Sequence, residues 1–214
     1  MYIEVELDDT FDEIFETHEN IKLWPFIGAN YNISAKTKIM VLGESAYWEK
    51  NDPANEATRN NIYDYIENIK ENGSTEQWTH ATPFRNTAAM ISGKGYYEAD
   101  EKWNELVFYN FYQLIIGKNA NDKSLKTNVG INLSQNAFFD VIKILKPDFI
   151  IAWGVSDLYK WLPQKGRIFL NKEKYLYNYE AFPHTVIWHI KHPSRGFVLD
   201  YWKEEYKAVK ILLN

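Results

Sequence analysis

The sequence predicts an α/β fold: three layers, α/β/α, around a central, mostly parallel four-stranded sheet. Three observations predict it. Four short and almost continuously apolar runs stand at 38–42, 106–109, 149–153 and 185–190. They alternate with segments of helical period, the pattern of a parallel sheet covered on both faces. Each run stops at a glycine, an asparagine or a Lys-His-Pro segment, as a buried strand does where it gives way to loop.

Taken in order, residues 9–18 read as a short acidic helix. Residues 20–37 hold Leu23-Trp24-Pro25-Phe26-Ile27-Gly28, an aromatic loop expected to pack on the core. Lys38-Ile39-Met40-Val41-Leu42 is the first strand and runs into a turn, Gly43-Glu44-Ser45-Ala46-Tyr47. Residues 54–72 are helical in period, with Ile62, Tyr65, Ile66 and Ile69 on one face, and 73–83 read as loop. A helix over 84–92 carries Phe84, Ala88 and Ile91. Leu106-Val107-Phe108-Tyr109 is the second strand, ended by Asn110. Residues 117–133 read as an exposed loop. Ser134 is placed to cap a helix over 135–146, whose Phe138, Val141, Ile142 and Leu145 form one buried face before Pro147 stops it. Phe149-Ile150-Ile151-Ala152-Trp153 is the third strand, closed by Gly154. A short helix at 156–161 and a hairpin over 167–181 follow. Thr185-Val186-Ile187-Trp188-His189-Ile190 is the fourth strand, leading into Lys191-His192-Pro193-Ser194. A last helix, 199–213, turns Trp202, Tyr206, Val209 and Leu213 inward. Residues 1–214 are expected to form one domain, with 1–37 as a helical and aromatic extension packed on it.

Composition narrows the function. The net charge of −5 provides no global basic field for holding bulk nucleic acid by counterion release, so any such contact must be local. The absence of cysteine excludes disulfides, thiolate zinc sites and thiol nucleophiles. The acidic start, Met1-Tyr2-Ile3-Glu4-Val5-Glu6, is not that of a signal peptide, and no apolar run approaches the ~20 residues that cross a bilayer. A cytoplasmic protein without membrane, metal or cofactor is expected. Aromatic residues make up 16% of the chain, enough to supply both a core and a pocket that stacks flat ligands.

In open parallel sheets, ligands bind beyond the carboxyl ends of the strands. Here those ends are Gly43–Tyr47, Asn110, Gly154 and 192–194. Glu44 can orient a water or balance a cation, and Tyr47 can wall a flat pocket. The Asn110 amide, with one acceptor and two donors, can read a nucleobase edge; Gln113 is a second candidate for that role. His192 can donate to a developing oxyanion, and Ser194 and Arg195 can hold a phosphate. Phe84 can stack on a planar ligand or staple its helix, with Arg85 and Asn86 as further phosphate contacts. His80 is a candidate pocket residue. His18 reads as surface and His189 as sheet packing.

This ordered set, strand then Gly-Glu-Ser-Ala-Tyr, strand then Asn110, helix, Pro147, strand and Gly154, and strand then His-Pro-Ser, resembles the uracil-DNA glycosylase superfamily. The resemblance spans 38 to about 200 and is carried by the order and placement of the motifs. It implies hydrolysis of the N-glycosidic bond of uracil or another damaged base in DNA, presented as a flipped nucleotide or a single strand. It implies Glu44 and His192 as catalytic groups. Gly43, Ser45, Tyr47, Phe84, Asn110, Ser194 and Arg195 would bind substrate. The sequence also departs from the family. Ser45 stands where the best-known branch has its water-activating Asp, Ala46 where a Pro is usual, Trp48 where a His or Gly is common, and Arg195-Gly196-Phe197 follows His-Pro-Ser.

Two other classes compete. A non-catalytic binder of nucleic acid or nucleotide on the same fold would explain Ser45. A serine hydrolase would use Ser45 as nucleophile in an elbow-like turn with His192 or His184 as base, although Tyr47 replaces the elbow's second glycine.

Overall fold

The computed structural model describes residues 4–33, 37–46, 54–72, 81–115, 127–194 and 196–212. It is a mixed α/β structure built on one seven-stranded sheet, with strands β1 (Phe26–Ile27), β2 (Ile39–Ser45), β3 (Leu106–Tyr112), β4 (Phe149–Trp153), β5 (Arg167–Asn171), β6 (Leu176–Tyr179) and β7 (Phe182–Ile190). Their spatial order is β1-β3-β2-β4-β7-β6-β5. β3, β2, β4 and β7 run parallel, and the margins β1, β6 and β5 are antiparallel. The expected four-stranded sheet is therefore corrected to seven strands among the described residues. The four apolar runs are the parallel centre, the hairpin expected over 167–181 joins it as β5 and β6, and β1 is a two-residue strand within the expected aromatic loop.

The helices are α1 (Asp12–Glu16), α2 (Ala57–Asn72), α3 (Thr82–Ser92), α4 (Tyr96–Ala99), α5 (Asn128–Leu145), α6 (Asp157–Trp161) and α7 (Leu199–Leu212). Successive strand residues turn to opposite faces. Ile39, Val41, Leu106, Phe108, Ile151 and Trp153 meet α2, α3 and α7 through Ile62, Tyr65, Phe84, Ala88 and Tyr206. Met40, Leu42, Val107, Tyr109 and Ile150 meet α1, α5 and α6 through Phe15, Phe138, Val141, Leu145 and Leu158. None of the helices is long and apolar enough to cross a membrane, among the described residues.

Several boundaries moved. β2 continues through Ser45 and β3 through Tyr112, so Gly43–Ser45 and Asn110 lie within paired strands and not beyond them. The register sets Gly43 opposite Asn110 and Ser45 opposite Tyr112. α5 begins at Asn128, capped by Thr127, whose side chain accepts from Gly130 N at 3.1 Å. Ser134 is instead nearly two helical turns inside. Its hydroxyl donates to Gly130 O at 2.6 Å and accepts from Gln113 N at 2.9 Å. A serine bonded back to the i−4 carbonyl mimics a cap in sequence, which explains the displaced start. α1 is shorter than the acidic segment that announced it.

The N-terminal segment is held by buried polar contacts. Arg59 of α2 donates to Pro25 O at 3.0 Å and to Asp12 at 2.5 Å, and is also paired with Glu56 at 3.1 Å. Its guanidinium lies over Trp24 at 5.2 Å. Gln113 accepts from Lys22 N and Leu23 N and donates to Asn110 O at 2.8 Å. This side chain is satisfied within the protein, which corrects its expected role as a ligand reader.

Asp148 sets the parallel strands in register at their starting ends. Its carboxylate accepts from Lys38 N at 2.8 Å, its own N–H donates to Lys38 O at 2.9 Å, and its carbonyl accepts from Val186 N at 2.9 Å.

Candidate functional site

The carboxyl ends of β2, β3, β4 and β7 share one edge of the sheet because the four strands are parallel and in register. Glu44 is half-buried near the end of β2. His192 follows β7 and keeps an exposed surface. Its surroundings push its pKa below the usual 6.5 by desolvation, and the nearby Glu44 carboxylate opposes that shift. The two groups expected to do chemistry thus act on one another electrostatically across the end of β4. Trp153, the last residue of β4, meets the His192 ring edge to face at 5.6 Å.

Loop 192–194 is braced from below. Ser194 N donates to His192 O at 2.8 Å, and Asn86 of α3 donates from its buried amide to Pro193 O at 2.8 Å. Asn86, expected as a phosphate contact, is turned inward and positions the loop that carries His192. Gly154, at φ +117°, has a backbone that side-chain-bearing residues rarely adopt. Its N–H donates to Ile190 O at 2.8 Å, and its carbonyl lies 2.8 Å from His189 Nδ1. These bonds tie the exits of β4 and β7 together immediately before His192.

His189 is a core residue, as its alternation within the strand implies. Nδ1–H donates to Gly154 O, so Nε2 is the acceptor for the Tyr177 hydroxyl at 3.0 Å. Burial pushes its pKa down to about 4.

Gly43 and Asn110 are in close contact. A Cβ added to Gly43 would stand 2.7 Å from Asn110 Oδ1 and 3.0 Å from the Phe108 ring, so this position requires glycine for space. Asn110 is buried, and its amide donates to Thr58 of α2 at 3.3 Å. That bond is long for a side-chain hydrogen bond and so is easily exchanged.

Phe84 is part of the core. Its ring meets Tyr65 at 5.6 Å, Trp103 at 5.6 Å, Phe108 at 5.0 Å and Trp153 at 5.3 Å. It lies within α3 and is neither a staple at the helix entry nor an open stacking face: it packs on Trp153, which meets His192. Arg85 is also buried, lying over Tyr96 at 5.6 Å and near Asp100 and Tyr65. This contradicts its expected place among phosphate contacts. Asp100 accepts from the Tyr65 hydroxyl, and burial holds its carboxyl pKa above the usual carboxylate range.

The Ser45 hydroxyl is buried and has no hydrogen-bond partner among the described residues. His184, the alternative base for Ser45, lies near the start of β7. Six residues of strand, about 20 Å, separate it from the carboxyl end, so it cannot serve there. Tyr47, His80 and Arg195 lie outside the described residues. Among the described residues no group of three or more His, Asp or Glu side chains is arranged to hold a metal ion.

Sequence reasoning named Glu44, Asn110 and His192 but gave no such part to their neighbours Trp153 and Thr58, and assigned Asn86 to phosphate and not to the loop it holds. Trp153 carried a signal: it is the last apolar residue of β4, immediately before a glycine. Compared with known proteins, the chain matches no family model and no curated protein.

Proposed function

We propose that this protein is a DNA glycosylase-like hydrolase of three-layer α/β/α architecture, acting on uracil or another damaged base. The observation that carries the reading is that the Glu44 carboxylate of β2 acts electrostatically on His192, which follows β7. A flipped deoxynucleotide enters at the carboxyl edge of the sheet. Desolvation keeps His192 neutral near pH 7, so one ring nitrogen is an N–H donor for the oxygen of the departing base. The Glu44 carboxylate orients water and offsets positive charge developing on the sugar. Asn110 exchanges its long bond to Thr58 for the base edge, above the Phe108 and Trp153 rings. Ser194 and Arg195 contact phosphate. DNA is the partner, and the chemistry requires no cofactor.

The test is incubation of the purified protein with single- and double-stranded oligonucleotides containing uracil, hypoxanthine, xanthine or a mismatch. Abasic product from at least one substrate, lost in Glu44→Gln and in His192→Ala, is expected. No abasic product from any substrate overturns the enzymatic reading, and measurable affinity without product would establish a binder on this fold.

A further inference from the structure

Positive charge is unevenly placed along this chain. From Tyr159 to Val198 there are seven lysines and arginines against two acids, Glu173 and Glu180, in a chain whose net charge is −5. A local basic stretch in an acidic chain marks where a polyanion can be held. The stretch contains the β5–β6 hairpin and runs on through β7 to His192. The hairpin also brings its turn to the edge that carries the site. Leu176 pairs with Trp188, and His189 N donates to Tyr175 O at 3.3 Å, so turn residues 172–175 stand level with the carboxyl end of β7. His192 follows His189 by three residues, at most about 11 Å of chain.

This turn presents both cations and a ring. Lys172 is exposed, and so is Lys160 on α6, next in the chain to Tyr159, whose ring meets that of Tyr175. Neither lysine is paired with an acid among the described residues, whereas Lys174 is held by Glu205 at 2.5 Å. Tyr175 has φ +51°, a left-handed backbone that a bulky residue rarely adopts. The turn fixes it there: Tyr175 N donates to Lys172 O at 3.2 Å, and Lys174 N donates to Asn171 Oδ1 at 3.0 Å. Tyr175 is 38% exposed and leans edge-on against Tyr159 at 5.2 Å. Tyr159 in turn packs on His189 at 5.1 Å and carries the Arg167 guanidinium over its ring at 4.6 Å. Backbone outliers of this kind cluster at ligand clamps, and an aromatic ring held half-open is a stacking platform.

We infer, resting on the reading of the carboxyl edge as a DNA site, that the β5–β6 turn is a binding surface for single-stranded DNA. Tyr175 stacks a base that flanks the nucleotide at His192, and Lys160 and Lys172 hold the adjoining phosphates. A single strand is the form that fits, because its unpaired bases can lie on an exposed ring while a duplex keeps its bases stacked inside. The local patch supplies the field that the chain as a whole lacks.

Fluorescence anisotropy of a labelled oligothymidylate of about 12 nucleotides tests this on the full chain, with no damaged base present. The strand should bind, and more weakly as salt rises. Tyr175→Ala should weaken binding about tenfold and Tyr175→Phe hardly at all, with each fold checked by circular dichroism. Lys160→Glu and Lys172→Glu should each weaken it about tenfold and flatten its salt dependence. Lys165→Glu makes the same change of charge at the opposite end of the hairpin, beside the Gly166–Glu180 bond, and should cost no more than about twofold at physiological salt. A duplex of the same length should bind at least about tenfold more weakly. The proposal is overturned by no binding, by affinity indifferent to Tyr175 and Lys172, or by an equal loss in Lys165→Glu. Equal affinity for the duplex or for a polyglutamate peptide overturns it as well. Turn-dependent binding without abasic product from any substrate would keep this surface and overturn the enzyme, and abasic product with turn-indifferent binding would do the reverse.

Discussion

Glu44 and His192 come from strands that are not neighbours, with β4 between them, yet the carboxylate of one works against the desolvation that lowers the pKa of the other. Removing the negative charge leaves desolvation unopposed. In Glu44→Gln, His192 should therefore titrate at a lower pH than in the parent, as read from its imidazole resonances by NMR. The same variant should lose about 10²-fold or more in base excision, the usual scale for a positioned acid–base group. An unmoved His192 titration would break the link between the two residues.

Gly43→Ala should destabilise the fold by about 1–3 kcal/mol, because the new methyl group meets Asn110 Oδ1 and Phe108 inside a packed interior. Urea midpoints measure the loss. Much of the clash is with the Asn110 amide, so Gly43→Ala should cost less in an Asn110→Ala background than alone. Strict additivity would show that the two residues are not in contact.

Ser45→Ala should change stability by no more than about 0.5 kcal/mol, since the hydroxyl it removes has no hydrogen-bond partner among the described residues. Base excision should survive it. Covalent labelling of Ser45 by a fluorophosphonate, abolished in the variant, would instead reinstate a nucleophilic serine.

His189 makes stability depend on pH. Its pKa is about 4 in the folded chain, against about 6.5 unfolded. Between those values the unfolded chain binds more protons, so stability is complete above pH 6.5 and falls as pH drops toward 4. From pH 7 to pH 5 this one residue should remove about 2 kcal/mol. The neighbours of the ring are Tyr177, Tyr159 and Arg167, and the last lowers the pKa further. Urea unfolding at both pH values, compared with His189→Gln, isolates the contribution. An equally steep loss in the variant would assign it to other groups.

The parallel centre of the sheet was legible because burial on both faces leaves a continuous apolar run, as in Phe149–Trp153, where strand and run coincide. Of the margins, the hairpin expected over 167–181 is β5 and β6, whereas β1, only two residues long, read as loop. Naming the strand ends needed topology alone, and the register does set Gly43 opposite Asn110. The orientation of individual side chains was less legible. Phe84 reads as a staple or, less often, a stacking platform until Tyr65, Trp103, Phe108 and Trp153 are seen around it. Arg85 reads as a phosphate contact until its position beside Asp100 is known.

The Asp148 clamp has a consequence at the opposite end of the sheet. It ties the starts of β2 and β7 to β4, so that Ile39, Phe149 and Val186 stand level. From that level Ile39 to Glu44 advances five positions and Val186 to His192 six, rulers of about 17 and about 20 Å. The approach of acid and imidazole is thus a matter of lengths counted from a common origin. A single residue inserted within either ruler would leave every motif intact in the sequence and carry one group past the other, whereas the connections between strands are free to vary in length.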